Sequence, residues 1–218
     1  MNLDNITYGN PNQNQLDDLQ RESYLDSLLP MFAEYTPPLN SSEATKQELN
    51  VIVDYINSMN EEENKTLYFN RYKLYDKSLS DFVKNGLIKG GQDQLATNKL
   101  IDSIIYDIKP LLLKLKYHFQ RPRPYQLAQY YKLKLFPFPS ESADTPSYPS
   151  GHAFQGKVIT EVVGTLYPST YSFMKNLFDD ICYSRLYLGL HFQSDIDMGI
   201  LFAEFVLESE EFRSKYQI

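Results

Sequence analysis

Three separated stretches of this chain carry residue types suited to holding a tetrahedral oxyanion and attacking it. The first, KYHFQRPRP at residues 116–124, places Lys116 and Arg123 seven positions apart, with Pro122 and Pro124 bracketing the arginine. Prolines restrict the backbone, and a restricted backbone presents a guanidinium fork in a fixed direction. The second, YPSGH at residues 148–152, sets the hydroxyl of Ser150, the bare backbone of Gly151 and the imidazole of His152 directly before a helical run. Amide N–H groups at such a helix start face an anion. The third, SRLYLGLHFQSD at residues 184–195, puts Arg185 late in one helix, His191 in the connection after Gly189 and Asp195 in the first turn of the next. A carboxylate so close to a histidine can accept from Nδ1 and leave Nε2 to attack.

Each stretch alone is a weak signal. Basic residues are more often solvated, Ser-Gly-His is more often a capped turn, and a lone histidine is more often a satisfied core residue. Jointly they weigh more, because the chain has only three histidines and two of them, His152 and His191, hold the candidate positions of the second and third stretches.

Read in order, Lys116-x6-Arg123-Pro124, Pro149-Ser150-Gly151-His152 and Ser184-Arg185-x5-His191-x3-Asp195 resemble the complete signature of the type 2 phosphatidic acid phosphatase and vanadium haloperoxidase superfamily. The RPRP, YPSGH and SR...G.H..SD...G runs are closest to those of the soluble bacterial class A nonspecific acid phosphatases. The resemblance implies that Lys116, Arg123 and Arg185 hold the non-bridging phosphate oxygens, with Ser150 and the Gly151 amide completing the cradle. It implies His191 as the nucleophile that forms a phosphohistidine, Asp195 as its orienting partner and His152 as the acid that protonates the leaving oxygen. It further implies a small-molecule phosphate ester as substrate and no metal or other cofactor, with vanadate as an inhibitor.

The physics is consistent with that division of labour. Phosphoryl transfer needs positioning and charge stabilisation more than elaborate covalent chemistry, and three fixed cations with amide donors supply both. A metal is the poorer account, since the chain has no HExxH and one cysteine, Cys182. Asp197 reads as a helix cap; His118 and Arg121, inside the first motif's spacer, read as lying behind the pocket or at the surface, with contact to the leaving group as the other reading. Two rival functions follow from the same residues. Vanadate in the cradle would make a haloperoxidase, with vanadate as cofactor. The basic segment 109–134, interleaved with Tyr117, Phe119, Tyr125, Tyr130 and Tyr131, would suit a nucleic acid. Against the latter, the net charge is −7 overall while Lys109 to Ser140 carries seven basic and no acidic residues, so the rest amounts to −14. A local positive field in an acidic protein fits a small anion better than a long polyanion.

The elements that must position these residues are helices. Leu49, Ile52, Val53, Ile56 and Met59 recur at helical spacing behind Asn40 and Glu43, which have capping-box spacing. Similar faces run through 62–85, through 93–108 to a kink or break at Pro110, through 152–166, from Ser169 toward Leu188, and from Ser194 onward. The segment from Gln120 to Pro149 holds six prolines and reads as mostly irregular. The fold expected is all-α, a single-domain helical bundle over residues 21–218 with a polar arm over 1–20. No stretch approaches a membrane span and the N-terminus does not read as a signal, so the expected setting is cytoplasmic and soluble. A homo-oligomer is left open.

Overall fold

Apolar spacing of three and four residues dominates this chain, and the regular elements are accordingly helical. The computed structural model describes residues 2–59, 76, 79–89 and 91–218, and no strand occurs among them. The helices are α1 (Gln13–Gln20), α2 (Leu29–Phe32), α3 (Glu43–Met59), α4 (Leu79–Lys89), α5 (Gln94–Phe119), α6 (Pro124–Ala128), α7 (Gly151–Leu166), α8 (Tyr171–Tyr187), α9 (Gln193–Glu208) and α10 (Glu210–Tyr216). The expected 62–85 helix lies mostly outside the described residues, Leu67 and Tyr75 included; α4 takes its last part.

Helix α7 is the centre of the bundle, packed against α5, α8 and α9. Its Phe154, Val158, Ile159, Val162 and Val163 are buried against Ile104, Ile108 and Leu111 of α5, Leu177 and Ile181 of α8, and Phe202 and Val206 of α9. The Phe32 ring stacks on Phe202 at 4.3 Å between centroids and closes this core from the α2 side. A second cluster joins Leu49, Ile52 and Ile56 of α3 to Leu127, Leu135 and Phe192, so α3 packs where α6 and α9 begin.

Three local expectations are corrected. Pro110 does not break α5, which runs unbroken for 26 residues. Proline removes the N–H that would serve the carbonyl four residues back. Here that carbonyl, of Tyr106, accepts instead from Arg21 Nη2 at 2.9 Å, while the Arg21 guanidinium lies over the Tyr106 ring. Asn40 does not cap α3: Ser42 Oγ accepts from Thr45 N, and Asn40 Nδ2 donates to the carbonyls of Leu3 and Ile6. Helix α9 begins at Gln193, one residue earlier than expected, so Asp195 and not Asp197 closes its first turn by accepting from Phe192 N at 2.9 Å. Asp197 accepts from the Gln193 side chain.

The arm over residues 1–20 contains α1, which packs on α5. Tyr8 Oη donates to Ala143 O, and Gln15 Nε2 donates to the carbonyl and carboxylate of Asp144. The N-terminal segment therefore holds the 143–144 stretch, which leads directly into the site.

Close approach of α9 to the start of α7 depends on Gly199. A Cβ there would lie 2.7 Å from the Ser150 carbonyl and 3.2 Å from Phe154 N, both backbone atoms of the α7 first turn. Gly199→Ala is expected to cost about 1–3 kcal/mol in urea unfolding, as overpacking does, by pushing α9 away from Ser150 and Phe154. Unchanged stability would show that the two helices part freely.

Candidate active site

The site forms where α5 ends, α7 and α9 begin, and α8 finishes. Gln120 takes a left-handed conformation (φ 50°), its N–H returning to Lys116 O, and the chain then turns through Arg121-Pro122-Arg123 into α6. Lys116 and Arg123 are thereby brought to one place, and both are almost wholly buried. Lys116 Nζ donates to Pro146 O at 2.6 Å. Arg123 Nε donates to Thr145 O at 2.9 Å, and its Nη1 to Leu190 O at 2.8 Å.

Ser150 caps α7, its Oγ accepting from Ala153 N, and its own N–H donates to the Asp195 carbonyl at 2.8 Å. The starts of α7 and α9 are thus tied together. Gly151 lies against Lys116, since a Cβ there would be 3.6 Å from Lys116 Cε and 3.3 Å from Leu112 Cδ2. His152 follows in the first turn of α7, partly buried.

Arg185, on the last turn of α8, is buried and turns Nη2 to Asp76 Oδ1 at 3.0 Å and to Ser142 Oγ at 3.2 Å. Its Nε and Nη1 are buried with no hydrogen-bond partner among the described residues. Buried guanidinium N–H groups left unpaired are costly. Two such donors beside Lys116 and Arg123 suit an anion. Asp76 is itself fixed by Ser140 Oγ, Ser142 Oγ and Glu141 N.

His191 sits between Asp195 and Arg123. Its Nδ1 is 3.2 Å from Asp195 Oδ2, and its Nε2 is 2.8 Å from Arg123 Nη1. A guanidinium can only donate, so Nε2 must accept and Nδ1 must carry the proton. The ring is therefore the neutral tautomer with its Nε2 lone pair facing the cradle.

Electrostatics agree with that assignment. Burial, then the charge of Arg123, pushes the His191 pKa well below the ordinary imidazole value, against the pull of Asp195. Burial, then Arg123, likewise pushes Lys116 well down, and burial with Arg185 brings Arg123 to about 10. Burial would raise Asp195, but Arg121, His191 and the Phe192 amide hold it far below the usual carboxylate range. The three cations repel one another in a dry cradle, and an incoming dianion relieves that repulsion.

Among the described residues, Lys116, Arg123, Ser150, Gly151, Arg185, His191 and Asp195 form one connected cluster, with His152 adjoining it in the chain. No three of His, Cys, Asp and Glu come together there as a metal-binding set. The basic segment 109–134 makes no continuous cationic face. Lys116, Arg121 and Arg123 are buried, exposed Lys109 pairs with Asp18 and half-buried Lys114 with Asp26, and Lys132 and Lys134 are also exposed. Several contributors escape notice in the sequence. Asp76 and Ser142 hold Arg185, Glu48 and Ser194 meet Arg121, and Gly199 admits Ser150. Only Arg121 and Gly199 carried a local signal, the doubled RPRP and a glycine at fixed distance from the SD pair.

An all-helical domain that gathers buried cations, helix-start amides and a histidine–carboxylate pair is the frame of a phosphatase, a hydrolase of phosphate esters. The chain belongs to the PAP2 superfamily, whose family model matches residues 95–208. Among solved structures it is similar to the first transmembrane PAP2 type phosphatidylglycerolphosphate phosphatase from Bacillus subtilis. That match has 18% identity and a TM-score of 0.54, and covers 88% of this chain and 94% of the other. The likeness establishes the fold. No match is found among curated proteins. No helix of the described residues is long and apolar enough to cross a membrane.

In ligand-free protein the His191 ring is expected to stay neutral, with its proton on Nδ1, below pH 6.5, the ordinary value. Because its pKa is depressed, the neutral form is present above that lowered pKa and lost only as pH falls through it. Imidazole 15N shifts followed through a pH titration would check this. A ring that protonates at 6.5 or above, or that carries its proton on Nε2, would contradict the assignment.

Proposed function

We propose that this phosphatase is a metal-independent phosphomonoesterase that acts on a soluble phosphate ester through a phosphohistidine. The observation that carries the proposal is the His191 environment: Nδ1–H directed to a buried carboxylate, and the Nε2 lone pair directed into a cluster of three buried cations.

In this reading the substrate's non-bridging oxygens accept from Lys116, Arg123, Nε and Nη1 of Arg185, Ser150 and the Gly151 amide. Arg123 Nη1 moves its hydrogen bond from His191 Nε2 to a phosphate oxygen, which frees the lone pair as substrate arrives. Nε2 then attacks phosphorus, an N–P bond forms, and the ester P–O bond breaks. His152 gives its proton to the departing oxygen, since an alkoxide leaves poorly unless protonated. Asp195 balances the positive charge that develops on the imidazole. Water then attacks phosphorus, the N–P bond breaks, and His152 takes the water's proton. Each cradle donor is worth on the order of 10²–10³ in rate, by analogy with single oxyanion donors.

Residue chemistry supports the metal-independent part: the donors around the cluster are cations and N–H groups, which bind an anion directly. The soluble-substrate part is supported by the outer faces of the helices. Helix α5 has the length to span a bilayer but carries Lys99, Asp102, Lys109 and Lys114, and surface pairs such as Lys84–Asp102 and Lys157–Glu161 suit water. The Bacillus subtilis protein's named substrate, phosphatidylglycerolphosphate, is the competing choice. Vanadate would sit in the same cradle, as an inhibitor under this reading.

Phosphate release should be measured from p-nitrophenyl phosphate, from soluble monoesters and from phosphatidylglycerolphosphate in mixed micelles, all with EDTA present. Turnover of the soluble esters, vanadate inhibition and near-total loss in His191→Ala are expected. Turnover only of the lipid would overturn the substrate class. Loss with EDTA that added metal restores would overturn metal independence, and an active His191→Ala would remove the nucleophile. Robust bromide oxidation with vanadate and peroxide but no hydrolysis would favour the haloperoxidase.

A further inference from the structure

Arg121 is one of the largest fully buried side chains of the described residues, yet neither of its terminal nitrogens is directed to the cation cluster. Nη1 donates to Asp195 Oδ1 at 2.5 Å and to Ser194 Oγ at 2.8 Å, and Nη2 to Glu48 Oε2 at 3.3 Å. The guanidinium lies over the Phe192 ring, 4.0 Å from its centroid. Glu48, from α3, accepts from Ser194 N at 2.6 Å and from Ser194 Oγ at 2.9 Å, so it also caps α9. A continuous chain of charge-assisted hydrogen bonds thus runs Glu48–Arg121–Asp195–His191.

We infer that Arg121 and Glu48 are positioning residues for the nucleophile: Arg121 fixes Asp195, and Glu48 offsets the charge of Arg121 so that Asp195 remains the imidazole's counter-charge. The inference rests on the phosphohistidine reading. Asp195 has two oxygens, and Arg121 claims Oδ1, which leaves Oδ2 to face His191 Nδ1 and Phe192 N. Without Arg121 the carboxylate could rotate, and the imidazole would lose its fixed orientation. An unneutralised guanidinium at this place would draw on Asp195 and oppose the positive charge that forms on His191. Glu48 removes that opposition from the far side. The pair contacts the nucleophile through Asp195, and so belongs to orientation and not to phosphate binding.

Opposite responses from the two residues distinguish this role from general architecture. The charged groups facing the imidazole are Asp195 from α9, Arg123 at the start of α6 and Lys116 from α5, and none of the three is substituted in the Arg121 and Glu48 variants. Removing the cation in Arg121→Met lets Asp195 act fully on the ring, so protonation becomes easier. The acid limb of kcat then moves to higher pH. Removing the anion in the isosteric Glu48→Gln leaves Arg121 uncompensated and moves that limb to lower pH.

The test is steady-state turnover of p-nitrophenyl phosphate by full-length Arg121→Met, Arg121→Lys, Glu48→Gln and His191→Ala across pH, with competitive inhibition by inorganic phosphate. Arg121→Met and Glu48→Gln should lose about 10- to 100-fold in kcat, as removal of an orienting partner does at other sites. Their KM and phosphate inhibition should stay near wild type, because the cradle is untouched. Arg121→Lys should recover part of kcat. Wild-type kcat in both variants, limbs that shift the same way, or loss of phosphate inhibition together with kcat would overturn the inference while leaving an inactive His191→Ala in place. An active His191→Ala would instead sink the reading on which it rests.

Discussion

The geometry of the site hangs on Asp195, a fully buried carboxylate with both oxygens engaged. Oδ2 holds His191 and closes the first turn of α9 through Phe192 N; Oδ1 meets Arg121; and the backbone carbonyl accepts from Ser150 N. One residue therefore fixes the histidine, the start of its own helix and the start of α7. A buried carboxylate is tolerable only when its charge is matched and its lone pairs are filled. The Arg121 guanidinium and the helix-start amide supply that match. In return the carboxylate stays ionised far into acid, against the effect of its own burial.

The cations show the complementary problem. Lys116, Arg123 and Arg185 are all removed from water, and each lowers the proton affinity of a neighbour. The fold meets this cost with carbonyl oxygens: those of Pro146, Thr145 and Leu190 accept from Lys116 and Arg123, and Asp76 accepts from Arg185. Two of these carbonyls belong to the stretch that begins at Ala143 and Asp144, which Tyr8 and Gln15 pin from the N-terminal arm. The polar arm is thus part of the support for the cradle. Fixed dipoles of this kind orient the donors before any anion arrives, which is what makes an electrostatic site effective.

Most of the inner site was legible in the sequence because its residues lie in short runs whose spacing survives folding. Arg185, His191 and Asp195 are joined by one helix end and one turn, and Ser150 to His152 by the first turn of another. Periodicity likewise found α5, α7 and α9, because burial of Ile101, Val158 and Phe202 demands it. What remained hidden depends on distant partners. Glu48 sits beside buried Leu49 on α3 and reads as an exposed neighbour until α9 is laid against it, 146 positions away. Asp76 meets Arg185 across 109 positions. Pro110 reads locally as a kink or break because the rescue of the Tyr106 carbonyl comes from Arg21, 85 positions upstream. Asp197 and Asp195 differ by half a turn, and only the actual start of α9 decides which of them caps it.

The similarity to a protein named as transmembrane, at 18% identity, separates two roles that a helix surface can play. Inward faces set the fold: α7 is apolar where it meets α5, α8 and α9, and any chain that fills those positions with comparable volume can keep the same packing. Outward faces set the medium. In this chain they carry Lys84 against Asp102, Lys109 against Asp18, and Lys157 against Glu161 and Glu204. Such pairs add little stability in water, but in hydrocarbon each charge would have to be paired or neutralised. The interior can therefore hold Asp195, Arg121 and Ser150 in place whatever the outer faces carry, because those residues draw their support from one another.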